Sequence, residues 1–214
     1  MDEVLQRRTL TRERVIRTLL NHPEGSLTKY RVAKLSKSPW TSTHRILNEL
    51  QEVGLVRGTR VEKFKDLLGV WANWKVKIKY REYLVRDPLS ILRSQKATTG
   101  RLRYALTTYQ AENLIQNYLF PSRIDLYIRP RDTEKWYRML AKEGALAGKG
   151  NFRLILSHDE HVFYNSHTVE RLHVVSIPQL IVDLFREGGV CVEAANMLLD
   201  KIMVNGDFIR GLRD

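Results

Sequence analysis

Cysteine is almost absent: Cys191 is the only one in 214 residues, so the chain can form no internal disulfide and no thiolate zinc site. No apolar run approaches the ~18 residues that a membrane helix requires. The charged start Met1-Asp2-Glu3 lacks the pattern of a secretory signal peptide, so a cytoplasmic protein with no membrane partner is expected. The usual marks of phosphate chemistry are missing as well. No Gly-Lys-Ser/Thr follows Gly144, Gly148 and Gly150, which read as a flexible turn. No Asp-x-Asp follows a Gly-Ser turn, as a nucleotidyltransferase needs for holding Mg²⁺ against nucleotide phosphates. Asp125 stands alone on its predicted strand, and adjacent Asp159 and Glu160 would point to opposite faces of an extended segment. His158, His161, His167 and His173, beside Glu160, are the metal candidates, at a spacing that fits no strong ligand motif. We therefore expect no enzyme: no catalytic residue, no metal and no cofactor.

What the chain does hold is positive charge, unevenly placed. Residues 1–100 carry 21 Lys/Arg against 10 Asp/Glu, whereas residues 101–214 carry 15 against 14, so nearly all of the net +12 lies in the first half. Neutralising phosphates with release of their counterions is the role that such an excess fits best. A hydrophobic fraction of 43% with four tryptophans excludes a disordered chain.

Three helical patterns occupy the start of the basic half. Val15, Ile16, Leu19 and Leu20 share one helical face, and residues 21–25 supply the turn that ends it. Thr28 caps a second helix with Tyr30 and Ala33 inward, joined by Val32 and Leu35, and with Lys29, Arg31 and Lys34 outward. A third opens at Ser38-Pro39 and closes at Gly54, burying Thr43, Leu47, Leu50 and Val53. Its other side shows Thr41, Ser42, His44, Arg45 and Asn48, short polar groups and one arginine suited to base edges in a major groove. Residues 55–61 then read as two short strands around Gly58, from which Arg57 and Arg60 project. From Ser36 to Val56 the chain resembles the winged-helix superfamily, on the passage Asn48-Glu49-Leu50-Gln51-Glu52-Val53-Gly54-Leu55-Val56.

Phe64, Leu67, Leu68 and Trp71 predict an amphipathic helix, Lys75 to Arg81 a half-buried strand, Asp87-Pro88 a further cap, and residues 94–100 a linker. Beyond it helices are predicted at 109–119, 133–142, 178–186 and 192–203, and strands at 124–128, 152–157, 161–164 and 172–175. Tyr104-Ala105-Leu106-Thr107-Thr108-Tyr109-Gln110-Ala111, Leu126-Tyr127-Ile128 and Val174-Val175-Ser176-Ile177-Pro178-Gln179-Leu180-Ile181-Val182-Asp183-Leu184 resemble the C-terminal domain of AbiEi-type proteins. That family comprises transcriptional regulators, including type IV toxin-antitoxin antitoxins. The resemblance implies operator binding, autoregulation and a cognate toxin partner.

The expected architecture is α+β: a winged helix-turn-helix domain (1–74), a strand/helix connector (75–98) and a small mixed α/β domain (99–214) for regulation, partner binding or dimerisation. The expected function is sequence-specific transcriptional regulation on double-stranded DNA by a homodimer. Thr41, Ser42, His44, Arg45 and Asn48 would enter the major groove, with Arg57 and Arg60 on the backbone or minor groove. Lys29, Arg31, Lys34 and Lys37 would clamp flanking phosphates. Three alternatives stand beside it. The chain would be a nucleic-acid-processing enzyme of nucleotidyltransferase type, an RNA-binding protein stacking bases on Trp71, Trp74, Tyr80 and Tyr83, or a protein-docking unit.

Overall fold

The computed structural model describes residues 2–74, 78–94, 102–157 and 159–204. The fold is mixed α+β, with helices first and a sheet after them. Helices α1 (Asp2–Leu20), α2 (Lys29–Leu35) and α3 (Trp40–Glu52) are followed by a hairpin of β1 (Val56–Arg57) and β2 (Arg60–Val61), then by α4 (Phe64–Ala72). The remainder comprises β3 (Lys79–Leu84), α5 (Pro88–Ser94), β4 (Tyr104–Thr107), α6 (Thr108–Gln116), β5 (Ile124–Ile128), α7 (Thr133–Lys142), β6 (Leu146–Ala147), β7 (Phe152–Leu156), β8 (His167–Val169), β9 (Leu172–Val174), α8 (Ile177–Glu187) and α9 (Val190–Val204). Strands β3 to β9 form one mixed sheet in the order β6-β3-β7-β5-β4-β9-β8, parallel at β5/β7 and β4/β9. Among the described residues no helix is long and apolar enough to cross a membrane.

Local chemistry explains several element ends. Thr28 caps α2 by accepting from the Arg31 amide at 3.1 Å. Asp87 caps α5 by accepting from the Ser90 amide at 3.1 Å. Gly54 stops α3 at a φ of +68°, a conformation that costs a residue with a side chain ~1 kcal/mol or more. Gly150 has a different reason. A Cβ there would lie 2.2 Å from the Tyr83 carbonyl oxygen, so this glycine is a point of close backbone approach between β3 and its neighbour, not a flexible turn.

Several expected positions differ. The buried stripe of α3 is Thr43, Ile46, Leu47 and Leu50, whereas Val53 is 63% exposed because it lies past the last helical turn. Tyr30 is 69% exposed: Val32 and Ala33 fill the inner side of the seven-residue α2. Pro39 stands at the N-cap of α3, and the Ser38 hydroxyl donates to the Ser36 carbonyl rather than capping the helix. The expected strand around His161 is a 3₁₀ turn over Glu160–Phe163, because Asp159 accepts from the His161 amide at 2.9 Å and caps it. Strands β4, β6 and β8 match no predicted element. The residues at 75–77, the predicted boundary near 98 and His158 lie outside the described residues.

Helix α8 is the pivot of the molecule. Residues Ile177 to Leu184 are all buried, since α8 packs on α6 and α9 and is also met by α1 and α4. The sheet's opposite face is covered by α7, where Trp136 meets Tyr104 edge-on at 6.0 Å. One continuous apolar core therefore runs from Ile16 and Leu19 through Trp71 to Leu180 and Leu198.

At the seam, α1 supplies a buried arginine. Arg17 donates from Nε to Gln179 Oε1 at 2.8 Å and from Nη1 to His161 Nδ1 at 3.0 Å. Its Nη2 lies 3.4 Å from Glu13 Oε1, and the guanidinium sits 5.0 Å from the Trp71 ring centroid. Arginine can only donate, so His161 Nδ1 accepts, and Nε2 carries the proton that is given to the Leu35 carbonyl at 3.1 Å. Burial, and then the charge of Arg17, pull the His161 pKa down to about 3. An unfolded histidine titrates near 6.5. As pH falls from about 6.5 toward 3 the unfolded chain takes up a proton that the folded chain refuses. Stability is thus full above this window and declines through it by up to about 1.4 kcal/mol per pH unit. Urea midpoints taken across that range check the prediction. His161→Gln should flatten the slope, and an unchanged slope in the variant would contradict it.

Candidate functional site

Two regions carry more polar chemistry than packing requires. The first is the outer surface of α2, α3 and the β1-β2 hairpin. α3 packs on α1, α2 and β1 through its apolar stripe, which turns the opposite side outward. Thr41 and Arg45 are exposed there, and Ser42, His44 and Asn48 are half-buried. His44 Nδ1 lies 3.4 Å from Asn48 Nδ2, one turn on. Arg45 donates to Glu49 Oε1 at 3.0 Å, and Glu49 is also held by Arg12. Such an exposed i,i+4 pair is worth only about 0.3–0.5 kcal/mol, so Arg45 is readily released to another acceptor.

Arg31, Lys34 and Lys37 of the α2 region are exposed and Lys29 is half-buried. On the hairpin Arg57 and Arg60 are exposed, with Arg57 3.2 Å from Glu62. Thr59 fixes the hairpin to the turn after α1, donating to the Leu27 carbonyl at 2.6 Å. One feature of this surface was not expected. Trp40, 45% exposed at the start of α3, lies 6.4 Å from Tyr30 and 5.6 Å from His44 between ring centroids. An aromatic group thus stands amid the basic residues, with Tyr30 on the surface rather than facing inward.

The second region is a cavity of about 320 Å³ between the sheet and α8. Strand alternation and pairing line up Glu82, Arg153, Asp125 and Thr107 in one row across β3, β7, β5 and β4. Tyr80, Ile155 and Tyr127 form the next row. Arg153 donates to Glu82 Oε1 from Nε and Nη2 at 3.0 and 2.8 Å. Arg123 donates to both oxygens of the fully buried Asp125, at 2.6 and 2.9 Å, and Thr108 donates to the same carboxylate. From α8, Asp183 accepts from Thr107 at 2.6 Å, Tyr127 at 3.0 Å and Gln179 at 2.9 Å. Burial holds the Asp183 carboxyl above its ordinary range despite these donors. Asp125 is therefore not isolated in space, as it is along the chain.

The other candidates fall into structural roles. Trp71 is fully buried and donates to Glu13 at 2.7 Å, and Tyr83 is buried, so neither offers a face for stacking a base; Tyr80 is half-exposed. His161 is engaged by Arg17 and Leu35, and among the described residues no three His, Cys, Asp or Glu side chains are placed to hold a metal. Comparison with protein-family models, curated proteins and solved structures finds no match for this chain.

Proposed function

We propose that the chain is a sequence-specific regulator of transcription that binds double-stranded DNA through a winged helix-turn-helix formed by α1 to β2. The observation that carries this reading is the outward side of α3: Thr41 and Arg45 are exposed, with Ser42, His44 and Asn48 partly so. Exposed Arg31, Lys34 and Lys37 of the α2 region and Arg57 and Arg60 of the hairpin accompany it. In this geometry α3 enters the major groove, Arg45 and Asn48 read base edges, and the Trp40 ring packs on thymine methyls or sugars. Lys29, Arg31, Lys34, Lys37, Arg57 and Arg60 hold phosphates, which set register and salt dependence without reading sequence. A homodimer on a two-fold operator doubles these contacts. The AbiEi-type resemblance extends the reading to an autoregulating antitoxin with a toxin partner.

The test is Arg45→Ala. Discrimination at one or two operator positions should fall by about 1–3 kcal/mol while binding to random duplex stays nearly unchanged. Equal losses on operator and random DNA would remove Arg45 from base reading.

A second reading, nucleotidyl transfer, is favoured by one observation: Asp125, Asp183 and Glu187 line the same cavity. Each is already engaged, Asp125 by Arg123 and Thr108, Asp183 by three donors, and Glu187 by Arg123 and Arg153. That pairing favours the regulator over a site that clamps Mg²⁺ with free carboxylate oxygens.

A further inference from the structure

The cavity beneath α8 has a mouth unlike its floor. Arg153 on the floor and Arg123 beside it each have a carboxylate partner within the sheet, Glu82 for Arg153 and Asp125 for Arg123, while Arg186 lines the cavity from α8 and is held by the Trp71 and Ala72 carbonyls. Glu187 is a third carboxylate, and it comes from elsewhere. It is the last residue of α8, followed by Gly188 and Gly189 with φ of +79° and +56°. It accepts from Arg123 Nη2 at 2.6 Å and from Arg153 Nη1 at 3.3 Å. Two guanidinium groups thus converge on one oxyanion that hangs from a helix end beside a glycine pair. Next to it the Tyr80 ring is 51% exposed, with the Arg153 guanidinium 4.5 Å from its centroid, and Ile78 and Ile155 continue this apolar surface into the cavity.

We infer that this cavity binds a small aromatic oxyanion, a carboxylate or a phosphate monoester, and that Glu187 occupies the oxyanion position when the ligand is absent. The ligand's oxyanion takes the Nη groups of Arg123 and Arg153 as the Glu187 side chain swings into water. Its flat body lies along Tyr80, Ile78 and Ile155. The exchange puts one anionic group in the place of another, of equal charge for a carboxylate and up to about one unit more negative for a phosphate monoester, so the floor pairs Arg123–Asp125 and Arg153–Glu82 stay intact. Arginine suits this role because its planar fork matches a carboxylate or phosphate edge. A volume of about 320 Å³ is at the small end for ligand sites and fits a single ring with its anionic head.

The signature of a built-in competitor is tighter binding once it is removed. Glu187→Gln, at the rim of the fold, should bind phenyl phosphate or benzoate about tenfold more tightly than the unaltered chain by titration calorimetry without DNA. Whichever head binds more strongly identifies the ligand's anion. Adding Tyr80→Ala to Glu187→Gln should cost about tenfold toward phenyl phosphate and little toward inorganic phosphate. The inference is overturned if Glu187→Gln binds these probes no better than the unaltered chain. It is also overturned if neither protein binds them at about 10 mM, or if the Tyr80 change weakens phosphate and phenyl phosphate equally. None of these outcomes depends on the reading of α3.

Discussion

Replacing Arg17 with alanine is expected to cost about 3–5 kcal/mol of stability, because it leaves Glu13 a buried carboxylate without its nearest cation. Arg17 is 2% exposed and satisfies four groups at once: Glu13, His161, Gln179 and the face of Trp71. After truncation Arg186, 3.7 Å from Glu13, is too distant for a close hydrogen bond and is committed to the Trp71 carbonyl at 3.0 Å. For a chain of this length such a loss lowers the thermal midpoint by roughly 10 °C or more. Arg17→Lys should recover part of it, since an ammonium restores the charge but cannot span Gln179 and His161 together. Urea unfolding of the three proteins measures this. A loss under about 1 kcal/mol for Arg17→Ala would mean that α1 is not pinned to α8 in this way.

The second large effect concerns charge on the outer surface. Replacing Lys29, Arg31, Lys34 and Lys37 together by alanine should lower duplex affinity by two to three orders of magnitude at about 0.2 M salt, with the log–log salt slope shallower by about four. The order of preference among duplex sequences should be retained. Anisotropy titrations of a labelled duplex at several salt concentrations separate this from the Arg45 variant, which is to lose preference and keep slope. A quadruple variant that loses preference instead would assign base contacts to α2. Lys29 is half-buried and should account for the smallest share of the change.

How much of this was legible in the residue order depends on whether an element's neighbours adjoin it in the chain. The stripe of α3, the glycine turn of the hairpin, β5 and α7 were readable because their periodicity and end signals are local. Val53 was misplaced because it is the C-cap, one residue past Glu52, and a helical stripe extended on paper does not register that the helix has already ended there. Tyr30 was misplaced because apolar character alone does not say which side of a seven-residue helix is covered. The charged row beneath α8 was hidden for another reason. Asp125 and Arg153 each stand as one charged residue in an otherwise apolar strand, and only pairing among β3, β7, β5 and β4 brings Glu82, Arg153, Asp125 and Thr107 into line. That one signal, a lone charge inside an apolar strand, was available in Ile124-Asp125-Leu126-Tyr127-Ile128 and in Phe152-Arg153-Leu154-Ile155-Leu156. His161 resembled a metal ligand by composition, but its partners, Arg17 and Leu35, lie more than a hundred residues away in the chain.

The central claim is that the outward side of α3 reads duplex DNA, and selection from a randomised duplex pool by the full chain at about 0.15 M salt tests it most directly. A bound fraction enriched in one sequence motif, displaced by neither single-stranded RNA nor random duplex, is the predicted result. Recovery of no duplex, or of duplex and single strands alike without any enriched motif, would contradict it.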